Sequence, residues 1–129
     1  MSRQLVSSVS YLEPVIGFSR AVRVGNIVVV GGTAPIRAEG GTAAVGDVCD
    51  QTRRCLEIIA KALADAGSSL EHVTRTRIIL TDIGLWKDAA RAHAEAFATI
   101  RPVTTLMQVT AFVDPDWLVE IEAEAVIPD

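Results

Sequence analysis

Polar and apolar residues alternate most strictly in "LVEIEAEAV", residues 118–126. Side chains of a β-strand alternate between faces, so Glu120, Glu122 and Glu124 share one face and Val119, Ile121, Ala123 and Ala125 the other. The apolar side belongs on a core. The acidic side places carboxylates about 7 Å apart along one strand, where they repel unless cations answer them.

Other segments carry equally readable patterns. "RAVRVGNIVVVGG" predicts two short strands, residues 21–24 and 27–30, joined by a Gly-Asn turn. The Gly- and Ala-rich "RAEGGTAAVG" predicts a mobile loop. In "DVCDQTRRCLEIIAKALADAG", Val48, Thr52, Cys55, Leu56, Ile59, Leu63 and Ala66 recur at helical spacing. Asp47 suits the N-cap and Gly67 the left-handed position past the C-terminus. "VTRTRIILTD" predicts a strand with Arg75 and Arg77 on one face. "LWKDAARAHAEAFATI" predicts a second helix, packing through Leu85, Ala89, Ala92, Ala96 and Ile100, with Trp86 and Phe97 flanking that stripe. Pro102 stops it, and "VTTLMQV" is a further strand.

With a weak strand in "RQLVSS", the order is β-β-β-α-β-α-β-β. This predicts an α+β fold, a mixed sheet with two helices on one face, in one domain spanning residues 1–129. The helices cover the apolar face. The polar face, with the three glutamates and with Arg23, Arg75 and Arg77, is left open within one chain. Either a cross-strand charge ladder faces solvent, or this face meets another subunit and its carboxylates line a cleft.

Composition narrows the chemistry. The formal net charge is −4, and Arg53-Arg54 is the only adjacent basic pair, which is no footprint for nucleic acid. No apolar run approaches the roughly 20 residues of a membrane span, and "MSRQLVSS" lacks the core of a signal peptide. A cytoplasmic protein is expected. Cys49 and Cys55, within one helix, have neither disulfide nor metal-site geometry, and His72 and His93 stand apart in sequence. No metal is expected.

Several stretches together resemble a known family. "GFSRAVRVGNIVVVGGTAPI" is similar to an opening signature in which a glycine-proline-tyrosine-serine-glutamine-alanine segment leads to a valine-glycine-asparagine turn. "DQTRRCLEIIAKALADAGSSLEHVTRTRIILTDI" resembles that family's helix and following strand, "RPVTTLMQV" falls at its proline-alanine-arginine-serine segment, and "LVEIEAEAV" at its closing strand. The chain thus resembles the Rid superfamily, also called YjgF or L-PSP endoribonuclease-like, over residues 17–127. The resemblance implies a chorismate-mutase-like fold and a homotrimer with helices outside, sheets packed inside and a small-molecule ligand in clefts between subunits. It also implies cofactor-independent hydrolysis of enamines and imines such as 2-aminoacrylate. In that chemistry an arginine grips the substrate carboxylate and a glutamate-held water attacks the imine carbon.

By this resemblance Glu120 is the catalytic carboxylate, and Phe18, Arg20, Gly32, Thr33, Thr104 and Thr105 fall at ligand-binding positions. The chain also departs from the pattern. The family arginine falls at Thr104, its tyrosine at Phe18, its glutamine at Arg20 and a helix asparagine at Ala90. Losing a charged partner for a carboxylate costs about 1.5–3 kcal/mol, so weak or absent activity on standard 2-imino acids is expected. Arg20 is a better replacement cation than Arg101, whose odd spacing from Thr104 turns it to the other strand face; the alternative for Arg20 is a salt bridge on the hairpin edge. Trp117 and Phe112 either wall the cleft or cap the sheet. Two functions remain open: a hydrolase of an imine, enamine or related conjugated carbonyl compound, and a trimer that binds a small metabolite without turnover. A ribonuclease is disfavoured by the acidic charge and the lack of a basic groove.

Overall fold

A computed structural model describes residues 2–129. Six strands, β1 (Arg3–Val6), β2 (Ala21–Val24), β3 (Ile27–Thr33), β4 (Val73–Leu80), β5 (Val103–Gln108) and β6 (Val119–Val126), form one sheet in the order β1-β2-β3-β6-β4-β5. Only β4 and β5 run parallel, and α2 (Trp86–Phe97) makes the crossover between them, as a parallel pair requires. The other helix, α1 (Val48–Asp65), packs on α2 and on β3 and β6. No helix among the described residues is long and apolar enough to cross a membrane.

Local chemistry explains the boundaries. Gly25, at φ +60°, makes the tight turn that pairs Val24 with Ile27. Asp47 accepts the Asp50 N–H at 3.0 Å and caps α1. Past its end, Gly67 at φ +84° takes the left-handed position. Every residue of the expected α1 stripe is buried, against Val28, Val30, Val119, Ile121 and Ala123 of the central strands. Each such aliphatic side chain contributes about 1.5–3 kcal/mol when fully buried.

The structure corrects four expectations. The weak strand in "RQLVSS" is a full partner of β2. Arg23 lies on the helix-covered face, because the hairpin pairs it with the buried Val28; its Nη1 donates to the Ala66 carbonyl at 2.7 Å, where the end of α1 favours a cation. Phe97 is core and not a flanking residue, 3% exposed. The glycine-rich loop is pinned: Ile36 bridges Thr42, Arg54 Nε donates to the Ile36 carbonyl and Trp117 Nε1 donates to Thr42 Oγ1.

Candidate functional site

The acidic face of β6 resolves into two paired glutamates and one that is not. Register with β4 sets Glu122 opposite Arg77 and Glu124 opposite Arg75. Arg77 Nη1 lies 3.0 Å from Glu122 Oε1, and Arg75 Nε lies 4.0 Å from Glu124 Oε2. Both pairs are partly exposed, so each contributes at most about 1 kcal/mol. Glu120 faces Ile79 instead. No donor among the described residues bonds its carboxylate, which is partly buried. Burial pushes its pKa up, and Glu122 adds to the shift while Arg20 opposes it.

Gly31 and Gly32 bring the neighbouring strand close to this carboxylate. Between the pairs Val30–Ala123 and Thr33–Ile121, β3 spends one residue more than β6, which is a β-bulge at the two glycines. A β-carbon on Gly32 would stand 2.8 Å from Glu120 Oε1. The carboxylate therefore rests where only glycine leaves room.

Arg20 braces the bulge from the other side. Only 3% exposed, it donates from Nε to Ser8 Oγ (3.1 Å) and from Nη1 to the carbonyl of Gly32 (2.5 Å) and to Thr33 Oγ1 (3.2 Å). The edge salt bridge expected for it is absent among the described residues. Its guanidinium lies over Phe18, 5.2 Å from the ring centre. Glu13, in a helical turn at Glu13–Gly17, accepts from Ser7 Oγ and from the Ser8 N–H and Oγ at 2.8–2.9 Å. Burial opposes ionisation of Glu13, but those bonds and the charge of Arg20 outweigh it and hold its pKa below the usual carboxylate range. Burial also draws Arg20 down from its ordinary value, with Glu13 and Glu120 opposing; a guanidinium stays charged regardless.

These residues border a cleft of about 400 Å³ lined by Phe18, Arg20, Gly32, Glu120 and Trp117. Leu12, Ile16, Ala34 and Val113 supply apolar wall. Trp117 both walls the cleft and packs in a small core with Ala34 and Ile36, against which Leu12 and Phe112 also pack. Leu12, Ile16 and Val113 went unforeseen, because their segments carry no periodic signal.

The remaining candidates lie elsewhere in the protomer. Thr33 is buried behind the bulge, where its hydroxyl donates to the Gly31 carbonyl and accepts from Arg20. Within one protomer Thr104 lies away from this cleft. In the parallel register it pairs with Thr76, on the sheet face opposite Glu120. Thr104 Oγ1 lies 2.8 Å from Thr76 Oγ1, which lies 2.9 Å from His93 Nε2; burial pulls the His93 pKa down. Thr105 shares the polar face but sits beside Arg77 on the outer strand, away from the bulge. Arg101 precedes β5 with φ +56°, so strand parity does not govern its direction.

A six-stranded mixed sheet, two helices on one face and an unpaired carboxylate over a glycine bulge define an α+β protein built around a sheet-end cleft. The family model for endoribonuclease L-PSP matches residues 9–127. The chain belongs to this family, the Rid or YjgF superfamily, and has its chorismate-mutase-like fold. It is 38% identical to an uncharacterized protein of Streptomyces coelicolor, over 93% of this chain and 89% of that one. It is 34% identical to the 3-aminoacrylate deaminase RutC of Acinetobacter baylyi, over 97% and 98%. The crystal structure of Rv2704 from Mycobacterium tuberculosis, a member of the YjgF/YER057c/UK114 family, superposes with a TM-score of 0.88 at 48% identity, covering 98% of this chain and 100% of that one.

Proposed function

We propose that the cleft hydrolyses an imine, enamine or related conjugated carbonyl compound, releasing ammonia without a cofactor. The observation that carries this reading is Glu120: a partly buried carboxylate bonded by no protein donor, with its pKa raised by burial. A carboxyl group so placed is suited to trading protons with water and substrate. As the carboxylate it accepts a proton from water while the water oxygen bonds to the imine carbon and the C=N electrons move to nitrogen. As the acid it returns that proton to the nitrogen, giving a carbinolamine; Glu120 then takes the new hydroxyl's proton and passes it to the nitrogen as the C–N bond breaks, so that a carbonyl and ammonia leave. For an enamine, protonation at carbon comes first and creates the imine carbon. The name of the Acinetobacter baylyi relative, a 3-aminoacrylate deaminase, supports this substrate class. The two free cysteines fit a reducing, cytoplasmic setting.

Ammonia release from 3-aminoacrylate, 2-aminoacrylate and 2-iminobutanoate, each generated in situ, tests the reading. Turnover above background on at least one of the three is expected, and weak turnover on 2-aminoacrylate and 2-iminobutanoate, because Thr104 offers no cation to the carboxylate. The position of Thr104 favours one second reading, a binder without turnover. No ammonia from any of the three compounds would favour it.

The reading also takes the protein as a trimer with clefts between subunits. The uncovered sheet face supports this. Leu5 (59% exposed), Ile27 (49%) and Val29 (48%) lie on it beside the Arg75–Glu124 pair, and apolar surface grouped in this way marks an association surface. The edge strand β5 of one copy would then bring Thr104 and Thr105 to a neighbour's cleft. Sedimentation at low micromolar concentration should give three chains of 13.8 kDa each; a clean monomer would remove the shared cleft.

A further inference from the structure

We infer that Arg20 makes this cleft selective for ligands with one anionic end and an apolar body, the anionic end meeting the guanidinium and the body lying along Phe18 and Trp117. The inference rests on the cleft being the ligand site, as proposed above, and adds the class of ligand it takes.

The first support is electrostatic. A charge taken out of water is costly unless an opposite charge bonds it. Arg20 is 3% exposed, yet its protein partners are carbonyl and hydroxyl oxygens. The two nearby carboxylates act only through charge at a distance: Glu13 spends its oxygens on Ser7 and Ser8, and Glu120 stands beyond Gly32. Nη2 has no acceptor among the described residues, and Arg20 borders the cleft. An anionic oxygen there would complete both the hydrogen bonding and the charge of the guanidinium.

The second support is shape. With Nε and Nη1 committed, Arg20 offers one edge and not a two-pronged fork, so the anion alone binds weakly and the rest of the ligand must contribute. The walls beside it are Phe18, Trp117, Leu12, Ile16 and Val113, which suit an apolar or aromatic body. A cleft of about 400 Å³ is large for a three-carbon imino acid. Glu120, on the far side of Gly32, then reaches the part of the ligand next to its anionic end.

Phenylacetate, phenylacetamide and acetate separate these contributions. They are titrated into the full-length protein at neutral pH and followed by nuclear magnetic resonance. Phenylacetate should bind about tenfold or more tighter than either of the others, the amide lacking the charge and acetate the body. Arg20→Gln should bring phenylacetate and phenylacetamide to equal affinity, and Arg20→Lys should keep part of the difference. Val113→Asp, at a rim position that is 66% exposed, should weaken phenylacetate by more than it weakens the amide, because the added charge acts on the anion alone. Should Arg20→Gln fail to fold, the wild-type comparison and Val113→Asp still decide. Equal affinity of the wild type for phenylacetate and phenylacetamide would overturn the inference. So would acetate binding as tightly as phenylacetate, no binding of any of the three, or a folded Arg20→Gln protein that keeps the preference. Because these titrations involve no turnover, their failure leaves the hydrolase reading standing, and a protein that binds as expected but releases no ammonia loses only that reading.

Discussion

Glu120→Gln should lose about 10²- to 10⁴-fold in turnover, the usual contribution of a positioned acid or base, and should unfold less readily than the wild type at neutral pH. Both effects come from one cause. Burial raises the Glu120 pKa above its unfolded value, so the folded state holds a proton more tightly than the unfolded chain. Stability linked to that proton is fully present below the ordinary carboxylate range and is lost as pH rises through the raised value. Glutamine carries no charge to bury, so the variant should gain over wild type as pH rises and match it at acid pH. Ammonia-release assays at neutral pH, paired with urea unfolding at both ends of this window, check the two halves. Unchanged turnover would remove Glu120 from the chemistry. A variant less stable than wild type at neutral pH would mean that the carboxylate has a partner in the assembled protein.

Gly32→Ala should cost about 10²-fold in turnover, a loss typical of a misplaced reacting group, with stability held within about 1 kcal/mol. The added methyl group would stand 2.8 Å from Glu120 Oε1, at the free end of a flexible side chain, so the carboxylate swings away while the backbone keeps its place. Gly31→Ala is the control. Its β-carbon would meet nothing closer than 3.9 Å, the Arg20 carbonyl, and turnover should be nearly unchanged. Equal activity in the two variants, measured beside urea unfolding of each, would mean that the placement of Glu120 against the bulge does not limit the reaction.

The layered fold was legible because its signals are local. The period-two glutamates of β6, the helical stripe from Val48 to Ala66 and the Gly-Asn turn each dictate an element whatever surrounds it. What was not legible depends on pairing between distant strands. The face of Thr104 relative to Glu120 turns on the parallel register of β5 against β4, and a slip of one residue would reverse it. The separation of Glu120 from Glu122 and Glu124 likewise needed to know that Ile79, and not an arginine, stands opposite. Arg23 is a different case, since the two-residue turn already pairs it with an apolar position and so placed it under the helices. The support of Arg20 by Ser8 and Glu13 left no trace in the pattern, because residues 7–18 form an irregular segment held by side-chain bonds and a single wide helical turn.

The central position of β6 governs the order in which this molecule can be made. It lies between β3 and β4, joined to both, although it follows every other strand along the chain. During synthesis the strand set β1–β3 and the set β4–β5 emerge as two separate pieces, each with an open edge waiting for the same partner. They become one sheet only when residues 119–126 clear the ribosome and insert between them. Pairings so far apart in sequence close slowly, and until they close the waiting edges invite the wrong strand, including one from a second nascent copy. Glu120 arrives with that last strand, so the carboxylate and the completed sheet appear in the same event, and no half-built chain carries the site.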